Sequence, residues 1–167
     1  MDLHNNPIFK NLNPAELRTF VSYCSQVEFP SGTKVMSRGE VSREVFFLIA
    51  GELSVRLSSH VREQELDRLS PPAVVGEMSM LTGKPRSASV VATTDVKLLS
   101  ISNELFHEKM AEGDSSVLKV VGNLARVLAV RLGALTDKLI EIEAIVPGER
   151  ADELQEFRAQ LFSDWST

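Results

Sequence analysis

The chain has 167 residues, 43% hydrophobic and 25% charged, with a formal net charge of −5. This is a globular balance that can bury a core without disulfides or metals, and the single cysteine, Cys24, excludes an internal disulfide. The acidic charge argues against nucleic acid as the main partner; MDLHNNPIFK holds no apolar leader and no run is long enough to span a membrane, so the expected location is the cytoplasm.

The first predicted element is a helix. Asn13, Pro14 and Glu16 supply a cap, a first-turn proline and a box-closing carboxylate, and Leu17, Phe20, Val21 and Cys24 supply a buried face. From Gln26 to Ser102 the period changes to two. Val27 and Phe29 alternate, Pro30-Ser31-Gly32 turns the chain, and Val35 and Gly39 follow. Val45 to Ala50 is a short apolar run ended by Gly51. Leu53, Val55 and Leu57 alternate, Leu66 and Leu69 continue, and Val90, Val96, Leu98 and Ile101 close the pattern. Many short strands with Gly and Pro turns predict a small barrel or jelly roll.

The remainder is predicted to be helical. Asn103 caps a short helix carrying Leu105, Phe106 and Met110, and Asp114 or Ser115 caps a long one. On the long helix Val121, Ala125, Leu128, Leu132, Leu135, Leu139, Ile142 and Val146 recur at spacings of four and three, a heptad seam. Val117, Val120, Leu124 and Val127 form a second stripe. Two apolar stripes predict two partners, the β-roll and a second copy of the chain, hence a homodimer through Val121–Val146. Pro147-Gly148 ends the helix, and Leu154, Phe157, Leu161 and Trp165 mark a last amphipathic helix. The predicted domains are 1–146 and a helical extension, 147–167.

One stretch interrupts the strands. Residues 75–90 read V-G-E-M-S-M-L-T-G-K-P-R-S-A-S-V, with a short helical turn starting near Gly76. A cyclic phosphate needs a fixed cation and several donors. Arg86 offers a forked guanidinium, and the turn offers free backbone N–H groups. Gly76 lets a phosphate or ribose approach the main chain, Glu77 can accept from a ribose hydroxyl, and Ser87 can donate to a phosphate oxygen or a purine edge. The plain alternative is a structural Glu77–Arg86 ion pair. Other chemistries fail on spacing. A Walker loop around Gly83-Lys84 would need Gly at Met78 and Ser or Thr at Pro85, and Gly76 to Met80 lacks the glycine of a nucleophile elbow. His4, His60 and His107 show no metal-ligand spacing, and no catalytic constellation is present, so no enzyme activity is expected.

This stretch resembles the phosphate-binding cassette of the cyclic-nucleotide-binding family, which includes the bacterial catabolite activator protein, cAMP-dependent kinase regulatory subunits and cyclic-nucleotide-gated channels. The ten-residue spacing from Gly76 to Arg86 and the FFLIAGEL run of Phe46–Leu53 carry the resemblance, which covers roughly residues 7–145. It implies an α+β fold: a β-roll (double-stranded jelly roll) flanked by an N-terminal helix and a long C-terminal dimerisation helix. Gly76, Glu77, Met78, Ser79, Arg86, Ser87 and Ala88 match the family's ligand positions. Val55, Leu66 and Val90 fall where the purine packs. An ungapped match puts Arg131 at the base; a one-turn shift puts Leu135 and Thr136 there. Pro72-Ala73-Val74-Val75 departs from the family's frequent Gly-Asp-Phe-Phe.

The implied function is a receptor for cAMP, with cGMP possible, that signals to an effector protein by a conformational change of its C-terminal helix. The alternative is the ligand-sensing fragment of a transcription regulator of the catabolite-activator kind. About 20 residues follow Pro147, fewer than a helix-turn-helix domain needs. Seven carboxylates from Glu141 onward face only Arg150 and Arg158, so DNA binding is not expected.

Overall fold

The computed structural model describes residues 3, 6–41, 43–58, 63–145 and 159. The chain divides into two compact units, Met1–Leu124 and Ala125–Thr167. The first opens with a 3-10 turn, Pro7–Phe9, and then α1 (Pro14–Ser22). Asn13 and Glu16 form the predicted capping box: the Asn13 side chain accepts from Ala15 N and Glu16 N, and Glu16 accepts from Asn13 N. Leu17 and Phe20 are buried, with Val21 and Cys24 packed beside them. Burial pushes the Cys24 thiol up to about 12, as expected of a core cysteine.

Among the described residues eight strands follow: β1 (Ser25–Phe29), β2 (Lys34–Met36), β3 (Glu44–Ala50), β4 (Leu53–Ser58), β5 (Glu63–Leu69), β6 (Ala73–Val75), β7 (Ser89–Ala92) and β8 (Val96–Ser102). They make two antiparallel four-stranded sheets, ordered β1-β8-β3-β6 and β2-β7-β4-β5. Between β6 and β7 lies α2 (Glu77–Thr82). The result is the expected roll with helices at both ends of the sequence.

The apolar run in β3 is continuous because both of its faces are buried. Val45 and Phe47 join the core on the helical side, where the Phe9, Phe20 and Phe47 rings meet in tilted and edge-to-face contacts with centroids 5.5–5.6 Å apart. Phe46 and Leu48 point the other way, into a second core between the sheets with Met36, Leu53, Val75, Val90 and Leu98. Strand β6 splits in the same manner: Val74 belongs to the first core, Ala73 and Val75 to the second. The departure at Pro72–Val75 therefore still supplies a fully buried strand.

Two helices complete the described chain, α3 (Asn103–Ala111) and α4 (Ser115–Ile145). The cap of α3 is Ser102 rather than Asn103: the Ser102 hydroxyl accepts from Leu105 N, and Asn103 is the first helical residue. Asp114 caps α4, its carboxylate accepting from Ser116 N and Val117 N. Val117, Val120 and Leu124 are fully buried, so the inner stripe packs as predicted, with Val127 half-buried. Asn123, also buried, donates to the carbonyls of Ile8 and Lys10 at 3.0 and 2.7 Å and ties the N-terminal segment to α4. On the second unit's part of α4, Leu132 and Leu135 are 45% and 59% exposed. The Leu139 and Ile142 side chains, Val146, the Pro147-Gly148 stop and the predicted last helix lie outside the described residues, apart from Ala159. Among the described residues, no helix is long and apolar enough to cross a membrane, and no group of three or more candidate ligands could hold a metal ion.

Candidate functional site

The site is built where β6 ends. Gly76 takes a left-handed backbone, φ +89°, which lets the chain turn directly from strand into helix. It is the N-cap of α2 and provides no side-chain acceptor, so the first-turn N–H groups meet no side-chain cap. Gly83, also left-handed, closes the other end by donating to Ser79 O at 2.9 Å. Glycine at 76 has a second reason. A Cβ there would run into the Arg86 guanidinium, which lies directly against the Gly76 backbone.

Arg86 is held from two directions. Its N–H donates to Glu40 O at 2.9 Å, and its carbonyl accepts from Gly39 N at 2.8 Å. Its Nη2 donates to Glu44 O at 2.6 Å. Only 6% of the residue is exposed, and its Nη1 is buried without a hydrogen-bond partner. Burial lowers the guanidinium pKa, while the carboxylates of Glu40, Glu77 and Glu44 act in the opposite sense. Arginine stays charged regardless, and one N–H donor of that guanidinium, Nη1, is buried without a hydrogen-bond partner beside the start of α2. Leaving such a group unsatisfied is costly, and an anion placed there would relieve the cost.

The other cassette residues gather around this centre. Glu77 and Ser79 are buried at 5% and 6% exposure, while Met78 between them is 51% exposed. Ser87 is exposed, and its hydroxyl donates weakly to Met78 Sδ at 3.8 Å, closing the two ends of the cassette on each other. Ala88 is half-buried. Val55 and Val90 are cross-strand partners, and both pack in the core between the sheets. Leu66 does not join them. The β4–β5 register shifts between Val55, paired with Asp67, and Arg56, paired with Glu65, leaving Leu66 without a partner and 53% exposed. Arg131 and Thr136 belong to the second unit; both are half-buried, and the Thr136 hydroxyl donates to Leu132 O, 3.0 Å away on its own helix.

The sequence reading missed the support behind Arg86. Its partners are main-chain carbonyls of Glu40 and Glu44, which no side-chain motif reports; Gly39, at φ +81°, was the available signal for a tight turn at that point. Beside this loop lies a cavity of about 410 Å³ whose lining includes Glu40, Arg43, Glu44, Phe46, Ser102 and Arg86.

The two antiparallel sheets thus form a roll that carries a short helix and a buried arginine between its sixth and seventh strands. Residues 26–113 match the family model of the cyclic nucleotide-binding domain, and the chain belongs to that family. It is 28% identical over 157 residues to a CRP-like cAMP-activated global transcriptional regulator of Mycobacterium tuberculosis, covering 93% of this chain and 68% of the relative. It is 32% identical over 132 residues to the cyclic AMP receptor protein of Thermus thermophilus, covering 78% of this chain and 59% of the relative. The crystal structure of a cyclic nucleotide-binding domain from Methylobacillus flagellatus superposes with a TM-score of 0.74 at 25% identity, over 84% of this chain and 78% of that one. The chain thus spans about two thirds or less of the length of these two regulators.

Proposed function

We propose that this chain is a cAMP receptor module whose cassette, Gly76–Ala88, binds the cyclic phosphate, and that binding is passed to an effector through α4. The observation that carries this reading is the buried, unpaired Nη1 of Arg86 beside Gly76. An equatorial phosphate oxygen satisfies that donor, with Glu77 accepting from the ribose hydroxyl and Ser87 donating to the phosphate or the purine. Val55 and Val90 pack on one purine face. Both regulators above carry cAMP in their names, which favours it over other cyclic nucleotides.

Calorimetric titration with cAMP, cGMP and a cyclic dinucleotide tests the reading. The expected order places cAMP tightest. A tighter cGMP isotherm would reassign the base, and no binding of any of the three would refute the receptor reading.

The exposed Leu132 and Leu135 on α4 support a homodimer along Val121–Val146. Changing Leu128 and Leu135 to Asp should give monomers by sedimentation velocity; a wild type already monomeric at micromolar concentration would overturn the dimer. The greater length of the regulators favours a second reading, in which this module is the ligand-sensing part of a transcription regulator. Fluorescence anisotropy of duplex DNA with this chain, with and without cAMP, separates the two: the receptor reading expects no binding in either state.

A further inference from the structure

Like any α-helix, α2 leaves its last carbonyls without amide partners inside the helix. Its last turn is accounted for almost atom by atom. Ser79 O accepts from Gly83 N, and Met78 O accepts from the Thr82 hydroxyl at 2.7 Å. The next amide, Lys84 N, turns to Thr82 Oγ1 at 3.3 Å, so Met80 O receives no amide from the residue four ahead. The group that meets Met80 O comes from α3: His107 Nε2 lies 3.2 Å away, across 27 positions of sequence. A carbonyl has no hydrogen to donate, so Nε2 must carry the proton. Met80 itself is 2% exposed and its N–H donates to Gly76 O at 3.2 Å. One residue therefore connects the glycine at the start of the cassette with the imidazole at its back.

We infer that His107 is a positioning residue for the cassette: by donating to Met80 O it holds the C-terminal end of α2 to α3, and thereby fixes where Gly76 and Glu77 stand relative to Arg86. The part concerning ligand affinity rests on the receptor reading above; the part concerning α2 does not. The connection also gives the cassette a direct mechanical route to α3, which leads through Asp114 into α4. His107 is exposed and lies outside both hydrophobic cores, so its removal leaves the packing of the roll intact.

The test uses the full chain as wild type, His107→Ala and His107→Gln. Without nucleotide, NMR amide exchange at Met80 and Gly83 should speed up about threefold to tenfold in His107→Ala, the range of one net hydrogen bond. His107→Gln, which keeps an N–H donor, should recover most of the protection. Affinity for cAMP, titrated calorimetrically, should fall by a similar factor in His107→Ala and recover in His107→Gln. Nitrogen-15 spectra of the wild type at pH 8 should show the Nε2–H tautomer at His107. Unchanged exchange in His107→Ala, or an Nδ1–H tautomer in the wild type, would overturn the inference whether or not cAMP binds. A wild type that binds no cAMP, with exchange behaving as expected, would sink the receptor reading and leave the α2–α3 tie in place. If His107→Ala does not fold, the wild-type tautomer and the exchange of His107→Gln decide.

Discussion

Replacing Gly76 with alanine separates two reasons for glycine at the head of the cassette. The first is backbone conformation: at φ +89° an L-residue pays about 1–2 kcal/mol. The second is space. The new Cβ collides with the Arg86 guanidinium, which must move and give up its 2.6 Å bond to Glu44 O. A hydrogen bond from a charged group contributes about 1.5–3 kcal/mol, so the two effects together predict a loss of about 2.5–5 kcal/mol. Gly83→Ala is the internal control. Its φ is +67°, but a Cβ there meets nothing within 4 Å, so only the backbone cost of about 1–2 kcal/mol applies. Urea unfolding of both variants, followed by far-UV circular dichroism with unchanged m-values, gives the two numbers. Their difference, about 1.5–3 kcal/mol, measures the Gly76–Arg86 approach. Equal destabilisation by the two alanines would refute the claim that Gly76 is there to admit the guanidinium.

Two further predictions concern the joint between the N-terminal segment and α4. Asn123→Leu removes the donor to Ile8 O and Lys10 O inside the first core, and should cost about 1–3 kcal/mol in urea unfolding; a loss under 0.5 kcal/mol would contradict it. The Lys119 ammonium, 2.7 Å from both Glu16 oxygens, holds the Glu16 carboxyl below its ordinary value of 4.5, helped by Asn13 N–H. A depressed folded value stabilises the fold above pH 4.5 and ceases to do so as pH falls through that depressed value. Lys119→Met should therefore raise the Glu16 titration midpoint seen by carbon-13 NMR, and its stability deficit against wild type should shrink as pH falls below 4.5. A Glu16 midpoint that does not move would refute the pairing.

Local signals told most of the fold. The capping box of α1 is written in Asn13 and Glu16, and the inner stripe Val117, Val120, Leu124 declared a buried helix face, because both depend on neighbours within a few residues. The double-sided burial of β3 was visible only as a continuous apolar run. That Phe47 and Phe46 serve different cores is a matter of topology. Where alternation alone was followed, it failed at Leu66, since a bulge shifts the phase of β5 and turns that side chain outward. Ser102 took the cap expected of Asn103 because strand β8 runs straight into the helix and its last residue serves as the cap, a boundary that composition does not fix. Within the cassette, residue types and spacing announced Gly76, Glu77 and Arg86. The backbone carbonyls that seat Arg86, and the imidazole behind Met80, come from residues 27–46 positions away, and no local pattern reports them.

The central claim is that the unpaired Nη1 of Arg86 is there for a cyclic phosphate. Calorimetric titration of cAMP into wild type and folded Arg86→Ala tests it most directly. Wild type should give a saturable isotherm and the variant a loss of about 3–5 kcal/mol, at least a hundredfold in affinity, because a desolvated phosphate is left without its cation. Equal affinity in the two folded proteins would contradict it.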